Sequence, residues 1–192
     1  MNPLIKKIAL LGLGSPFSLN RKLSAIRKGN ALTILNLHRV AEDDGSTYRP
    51  LNPHLFDQLL IFLKKNFKLI TFGQLKPEVL TGKPRLILSF DDGYKDFIEN
   101  AVPILKRHNI RVNQNIIPEC VERELPPLNV MAQDFIGKAP LSLVKNIKIP
   151  GLDKIPPAND RIQMGLKVSN FIKNNPMSEQ RSLGADLLPQ FY

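Results

Sequence analysis

The strongest indication of the fold is the segment Arg85-Leu86-Ile87-Leu88-Ser89-Phe90-Asp91-Asp92-Gly93-Tyr94. Its first six residues form a largely apolar run, which predicts a buried strand. Asp-Gly is also a common hairpin turn, but a hairpin needs a second strand directly after the glycine. The apolar residues that follow recur instead at a helical period: Tyr94, Phe97, Ile98, Ala101, Val102 and Leu105. The sequence therefore predicts a turn from a strand into a helix.

The same alternation of strand and helix extends to both sides of this stretch. Residues 32–37 form a second apolar run, and Asn52-Pro53 opens a helical pattern that predicts one broad buried face. Further strands are predicted at residues 68–72 and 110–117. Strands and helices in this order indicate an α/β fold with a parallel sheet covered by helices.

Beyond Pro118 the apolar periodicity weakens, because prolines divide the chain into short pieces. Helices are predicted at residues 130–135, 160–173 and 178–187, and no strand is predicted there. We therefore expect three parts: a basic amphipathic segment at 1–30, an incomplete α/β core at 31–118, and a Pro-rich helical insertion or accessory section at 119–192.

The net charge of +10 is concentrated at the start of the chain. Residues 1–28 hold six of these charges and no acidic residue, mixed with apolar side chains. This pattern suits peripheral contact with an anionic membrane surface, and the alternative is a loosely packed basic terminus. Aromatic platforms interleaved with arginine are absent, so no nucleic acid partner is expected. Without a clear signal peptide, a cytoplasmic or membrane-associated location is expected.

Asp91 and Asp92 are predicted to belong to a functional site, because active sites are commonly located at the carboxyl ends of parallel strands. Two adjacent carboxylates favour a bound divalent cation, with one carboxylate left to accept a proton. His38 ends the strand at 32–37 on the same side of the sheet. It is expected either to line the pocket, as a substrate contact or as a partner of a metal ligand, or to be a satisfied loop histidine. Cys120 is the only cysteine, which excludes a disulfide framework and a thiolate zinc cluster.

Residues 89–94, with the apolar run before them, resemble the first motif of the polysaccharide deacetylases, also called the NodB-homology or carbohydrate esterase family 4 group. Ile34-Leu35-Asn36-Leu37-His38-Arg39-Val40 is similar to the opening strand of that family. The resemblance covers about residues 31–118. It implies a distorted (β/α) barrel, of which this chain would hold an incomplete part with an open sheet.

The resemblance also implies an activity, the hydrolysis of N-acetyl or O-acetyl groups on an amino-sugar glycan. Asp91 resembles the general base, Asp92 a ligand of zinc or another divalent metal, and His38 is assigned to substrate binding. The family's second motif, two histidines four residues apart, is missing, because His38, His54 and His108 are the only histidines. The sequence predicts that His54 and His108 are solvated surface residues.

The missing motif leaves three readings of the function open. A truncated, weak or inactive metal-dependent hydrolase is expected first. A non-catalytic glycan-binding remnant of the same fold and a peripheral membrane adaptor are the alternatives. A second departure from the family pattern is Asn113-Gln114-Asn115, which stands where the family usually has paired phenylalanines and predicts a different pocket floor.

Overall fold

The computed structural model describes residues 15–76 and 82–191. These residues form two compact units. The sheet unit contains the described residues up to Val40 together with Pro53–Ile116. The helical unit contains Ala41–Asn52 and the described residues from Ile117 onward. Among the described helices, none has both the length and the apolar composition needed to cross a bilayer.

The sheet unit is built around one central strand. Strand β3 (Arg85–Phe90) is buried at every residue, as is typical of a parallel strand covered on both faces. Strand β1 (Leu32–Leu37) pairs with it in parallel along its whole length, from Leu32 opposite Arg85 to Leu37 opposite Phe90. Two shorter strands, β2 (Lys68–Ile70) and β4 (Asn113–Gln114), also pair with β3 in parallel. The α/β class and the parallel sheet predicted from the sequence are therefore confirmed.

The two short strands share the remaining edge of β3, because β1 occupies the other edge completely. Strand β2 pairs with residues 85–87 and β4 with residues 89 and 90. This division limits β4 to two residues, so the longer strand predicted at 110–117 is wrong. The strand predicted at 68–72 ends at Ile70, because the chain turns into the 3₁₀ helix Phe72–Gln74. The four described strands form an open sheet, and a barrel is not seen among them.

Helices cover this sheet. Helix α1 (Pro16–Lys28) precedes β1, and α2 (Pro53–Asn66) follows it with three buried side chains toward the core. The helical segment predicted after Gly93 is present as the π-helix Phe97–Ala101 followed by α3 (Val102–His108). Pro103 accounts for the wide turn, because it has no N–H to donate to the carbonyl four residues earlier and its ring crowds that carbonyl.

The helical unit has its own core. Its described helices are α4 (Pro118–Arg123), α5 (Leu128–Lys138), α6 (Leu141–Lys145), α7 (Arg161–Asn174) and α8 (Met177–Phe191). Helices α5, α7 and α8 confirm the three predicted from apolar spacing, while the short α4 and α6 were not predicted. The buried cluster that joins the helices is Ala132, Ile136, Val144, Ile147, Ile149, Met164, Val168, Ile172, Leu183 and Leu187.

Candidate functional site

The turn after β3 carries the candidate site of the sheet unit. The backbone N–H of Asp91 donates to the carbonyl of Leu37 at 2.9 Å, so the parallel ladder continues one residue past the strand. Asp92 and Gly93 then adopt left-handed backbone conformations, with φ of 73° and 75°. The chain leaves this turn into helical residues and not into a hairpin, as the sequence predicts.

Strand register places three polar side chains in one row across the sheet. Leu37 lies opposite Phe90, so the next residue, His38, aligns with Asp91. Phe90 lies opposite Gln114, so Asn115 aligns with Asp91 from the other side. The N–H of Asn115 donates to the carbonyl of Phe90 at 2.8 Å, which supports this alignment. His38, Asp91 and Asn115 therefore form a polar row at the carboxyl edge of the sheet.

A second polar row lies one step deeper on the same face, because side chains two residues apart on a strand point the same way. Register aligns Asn36 with Ser89 and Ser89 with Asn113. Ser89 is almost fully buried. The Asn115 amide also donates to the Ser89 hydroxyl at 3.4 Å, so the two rows are connected.

The Asp91 carboxylate is held by two amides. Its Oδ1 accepts a hydrogen bond from Asn115 Nδ2 at 2.7 Å, and its Oδ2 accepts one from Asn36 Nδ2. The Asn115 hydrogen bond lowers the pKa of Asp91 most strongly; burial opposes it, and the Asn36 hydrogen bond and the charge of His38 add to it. Asp91 is therefore ionised at neutral pH, with one hydrogen bond on each oxygen.

Neither asparagine was predicted to bond Asp91, although residues 113–115 were expected at the pocket floor. Asn36 lies two residues before His38 and therefore on the same face of β1. This alternation could have predicted that Asn36 lies near the site. The contact of Asn115 with Asp91 could be found only once β4 was known to pair with β3. Asn115, within the segment that departs from the resembled motif, thus places an amide directly on the Asp91 carboxylate.

Asp92 differs from Asp91 in its surroundings. Its side chain is half-exposed and makes no hydrogen bond or ion pair with the residues that the structure describes. The left-handed backbone turns it away from the strand alternation that holds Asp91. Asp92 is thus open to a ligand, while Asp91 is already engaged.

The backbone at this turn yields a stability prediction. A Cβ on Gly93 would lie 3.0 Å from Ile116 Cγ2, and the φ of Gly93 is unfavourable for any other residue. We expect Gly93→Ala to lower the free energy of unfolding by about 1–2 kcal/mol. We expect Asp92→Gly to change it by less than about 0.5 kcal/mol, because glycine relieves the left-handed strain but adds entropy to the unfolded chain.

Urea unfolding followed by circular dichroism measures both changes. Gly73→Ala is the matched control, since a Cβ there would meet only Thr71 Oγ1 at 4.0 Å. Equal losses for the alanine variants at positions 73 and 93 would contradict the assigned turn.

Hydrogen bonds with Asp96 and Asn100 fix the backbone that follows His38. Asp96 accepts from Arg39 Nε at 2.9 Å and from the Val40 N–H at 3.3 Å, using one oxygen for each. Asn100 donates to the Val40 carbonyl at 2.9 Å. The Arg39 guanidinium also lies 5.6 Å from the centroid of the Tyr94 ring. The residues after the Asp-Asp-Gly turn therefore hold the end of β1 in place, and the sequence patterns did not reveal this.

The other two histidines lie outside this row. His54 is exposed, as predicted. The prediction that His108 is a solvated surface residue is wrong, because its side chain is only 17% exposed and its Nε2 lies 2.8 Å from Asp57 Oδ1. Across residues 15–76 and 82–191, no group of three or more His, Cys, Asp or Glu side chains could hold a metal ion. The described residues therefore do not build a resident zinc site around Asp92.

Solved structures similar to this chain include the following three. IcaB from Ammonifex degensii is 24% identical with a TM-score of 0.39, and the match covers 44% of this chain and 37% of IcaB. The Streptococcus pyogenes deacetylase PplD, solved with acetate, is 20% identical with a TM-score of 0.42, covering 83% and 69%. A de-N-acetylase from Aggregatibacter actinomycetemcomitans is 20% identical with a TM-score of 0.36, covering 79% and 52%.

No family model and no curated protein matches the sequence. The chain spans about a third to two thirds of the length of the three solved structures. Two of the three carry the description of a deacetylase.

Proposed function

We propose that this chain carries a deacetylase-type hydrolase site that acts on an acetylated amino-sugar glycan. The observation that carries the proposal is the Asp91–Asp92 pair at the carboxyl edge of a parallel sheet, with His38 aligned beside Asp91. The sheet of four strands would then be part of the distorted barrel that the sequence resemblance implies.

The proposed reaction is hydrolysis of an acetyl amide or ester. Water adds to the acetyl carbonyl carbon, the bond from that carbon to nitrogen or oxygen breaks, and acetate and a free amine or hydroxyl leave. Asp91 is assigned the role of the base that accepts a proton from the attacking water, because it is ionised and lies at the edge of the sheet. His38 is assigned contact with the glycan, and its alignment with Asp91 brings the bound acetyl group close to the base.

A divalent cation, with zinc as the first choice, remains part of the proposal as the cofactor of a complete site. Asp92 is the residue assigned to bind it, because its carboxylate is half-exposed and not engaged by the described residues. One carboxylate does not make a transition-metal site, which normally has three or more protein ligands. The other ligands would have to come from outside the described residues.

A second candidate is a non-catalytic glycan-binding protein. Two observations favour it. Both oxygens of Asp91 already accept hydrogen bonds, and its pKa is lowered, so it is a weaker base than a free carboxylate. The described residues also lack the metal cluster that the family's chemistry implies. The exposed amides of Asn36 and Asn115, beside His38, can bind sugar hydroxyls without catalysis.

Zinc binding and acetate release separate the two candidates. We expect residues 1–192 to bind zinc with micromolar or poorer affinity and to release acetate from chitin oligosaccharides at about the background rate, because the described residues supply no metal-ligating cluster around Asp92. Titration calorimetry and an acetate assay measure these quantities. Tight one-to-one zinc binding with sustained turnover would show that the site is complete and would exclude the glycan-binding remnant.

The role assignment has its own control. Asp92→Asn is expected to abolish whatever specific zinc binding remains, and Asp91→Asn is expected to keep it, because the Asp91 oxygens are occupied by the two amides. Equal zinc affinities in the two variants would refute the assignment of the metal to Asp92.

A further inference from the structure

Helix α1 presents a cationic surface that the proposed hydrolase site does not use. Its thirteen residues include Arg21, Lys22, Arg27 and Lys28 and contain no acidic residue. None of its residues is buried. A surface helix of a single charge sign repels itself slightly, so an external anionic partner would stabilise it.

The helix has two distinct faces. Leu19, Leu23 and Ile26 are its half-buried apolar residues, and they fall within about 60° of each other at 100° per residue. Phe17, Arg21 and Lys28 fall within about 40° of each other on the opposite side. All three are exposed, and Phe17 is 79% exposed. The outer face therefore combines one large aromatic ring with two cations, while Lys22 and Arg27 flank the apolar face.

Local hydrogen bonds define both ends of the helix. The Ser15 hydroxyl accepts from the Ser18 N–H at 3.3 Å and caps the first turn. At the other end, Gly29 N–H donates to the Ala25 carbonyl at 3.0 Å, and Asn30 is left-handed with φ of 48°. The chain then enters β1 directly. The outer face is thus the exposed side of a capped helix that leads into the sheet.

We propose that this face of α1, defined by Phe17, Arg21 and Lys28, docks on an anionic lipid bilayer. Phe17 would enter the interface between headgroups and acyl chains, while Arg21 and Lys28 would contact lipid phosphates. Charge complementarity argues for an anionic partner. The exposed ring argues for lipid over nucleic acid, because it stands alone at the helix start and does not form a row of stacking platforms.

The sequence before the helix has the same character. Residues 1–14 contain Lys6 and Lys7 among mostly apolar residues and again no acidic residue. The cations of residues 1–28 therefore account for six of the ten net positive charges of the chain. Each cation near an anionic leaflet adds to binding, and the sum falls as salt screens it.

Sedimentation of the full chain with vesicles tests the proposal. We expect binding to vesicles of equimolar phosphatidylcholine and phosphatidylglycerol, weak binding to pure phosphatidylcholine, and release by salt. Arg21→Gln with Lys28→Gln is expected to weaken binding by roughly thirtyfold, and Phe17→Ser by about tenfold. All three side chains are exposed, so circular dichroism should show no change in folding.

The matched controls lie on helix α7 of the other unit. Lys167→Gln with Lys173→Gln removes the same charge, and Leu166→Ser removes an exposed apolar side chain. These variants should change vesicle binding by less than about threefold. Equal losses for the α1 and α7 variants, or no loss for the α1 variants, would overturn the proposal. Tighter binding of the same face to a single-stranded oligonucleotide than to vesicles would overturn it in favour of nucleic acid.

Discussion

Phe90→Ala is expected to lower the free energy of unfolding of the sheet unit by about 3–5 kcal/mol. Phe90 is the last residue of β3 and its side chain is 0% exposed. Its ring meets Phe56 edge-on at 5.7 Å between centroids and Phe97 at 4.8 Å. Truncation would leave a cavity between the central strand, helix α2 and the π-helix, which cannot collapse without moving all three.

The same residue supports the candidate site, because the Phe90 carbonyl accepts from the N–H of Asn115. Hydrogen exchange of the β3 amides measures the loss within the sheet unit, and circular dichroism in urea follows the whole chain. Phe90→Leu should lose less and keep the chain folded if the alanine variant does not fold. Ile34→Ala is the control, since Ile34 is 52% exposed. A loss at position 34 as large as at position 90 would contradict the assigned core.

The elements that the sequence predicted correctly are those with a strong local signal. Strands β1 and β3 are largely apolar runs and were placed at their observed ends. The strand predicted at 110–117 is wrong in length. Its apolar residues do not indicate how much of the β3 edge is available for pairing, and β2 already pairs with part of that edge. The placement of Ala41–Asn52 in the helical unit also depends on contacts between distant residues, which no local pattern contains.

The same distinction applies to the candidate site. Asp91, Asp92 and His38 stand at the ends of predicted strands, so their positions followed from strand order. The hydrogen bonds that decide how Asp91 behaves come from residues 55 and 24 positions away, Asn36 and Asn115. Their hydrogen bonds lower the pKa of Asp91. Asp92 makes no hydrogen bond with the described residues. The pKa of Asp91 therefore depends on asparagines that the motif itself does not include.

The helical unit depends on two glycines that let a loop approach its helices. A Cβ on Gly165, in α7, would clash with Thr47 Oγ1 and lie 2.7 Å from Thr47 Cβ. A Cβ on Gly137, in α5, would lie 2.8 Å from Ser46 Cα and 2.8 Å from the Thr47 backbone nitrogen. Thr47 is nearly buried, and its hydroxyl donates to the Gln133 carbonyl at 3.0 Å. An outward movement of the loop, away from the helices, would therefore break this hydrogen bond.

Gly165→Ala is accordingly expected to lower the free energy of unfolding of the helical unit by about 3 kcal/mol, through overpacking and the strained Thr47 hydrogen bond. Hydrogen exchange of the α5 and α7 amides measures it. Thr47→Gly should recover part of this loss, since the clash is with a side chain, but should recover none of the loss caused by Gly137→Ala, where the clash is with backbone. Gly184→Ala is the control, because its Cβ would meet only Leu128 Cδ2 at 3.8 Å, and alanine there should stabilise α8 by up to about 1 kcal/mol. Full additivity of the substitutions at 47 and 165 would show that the two residues do not touch.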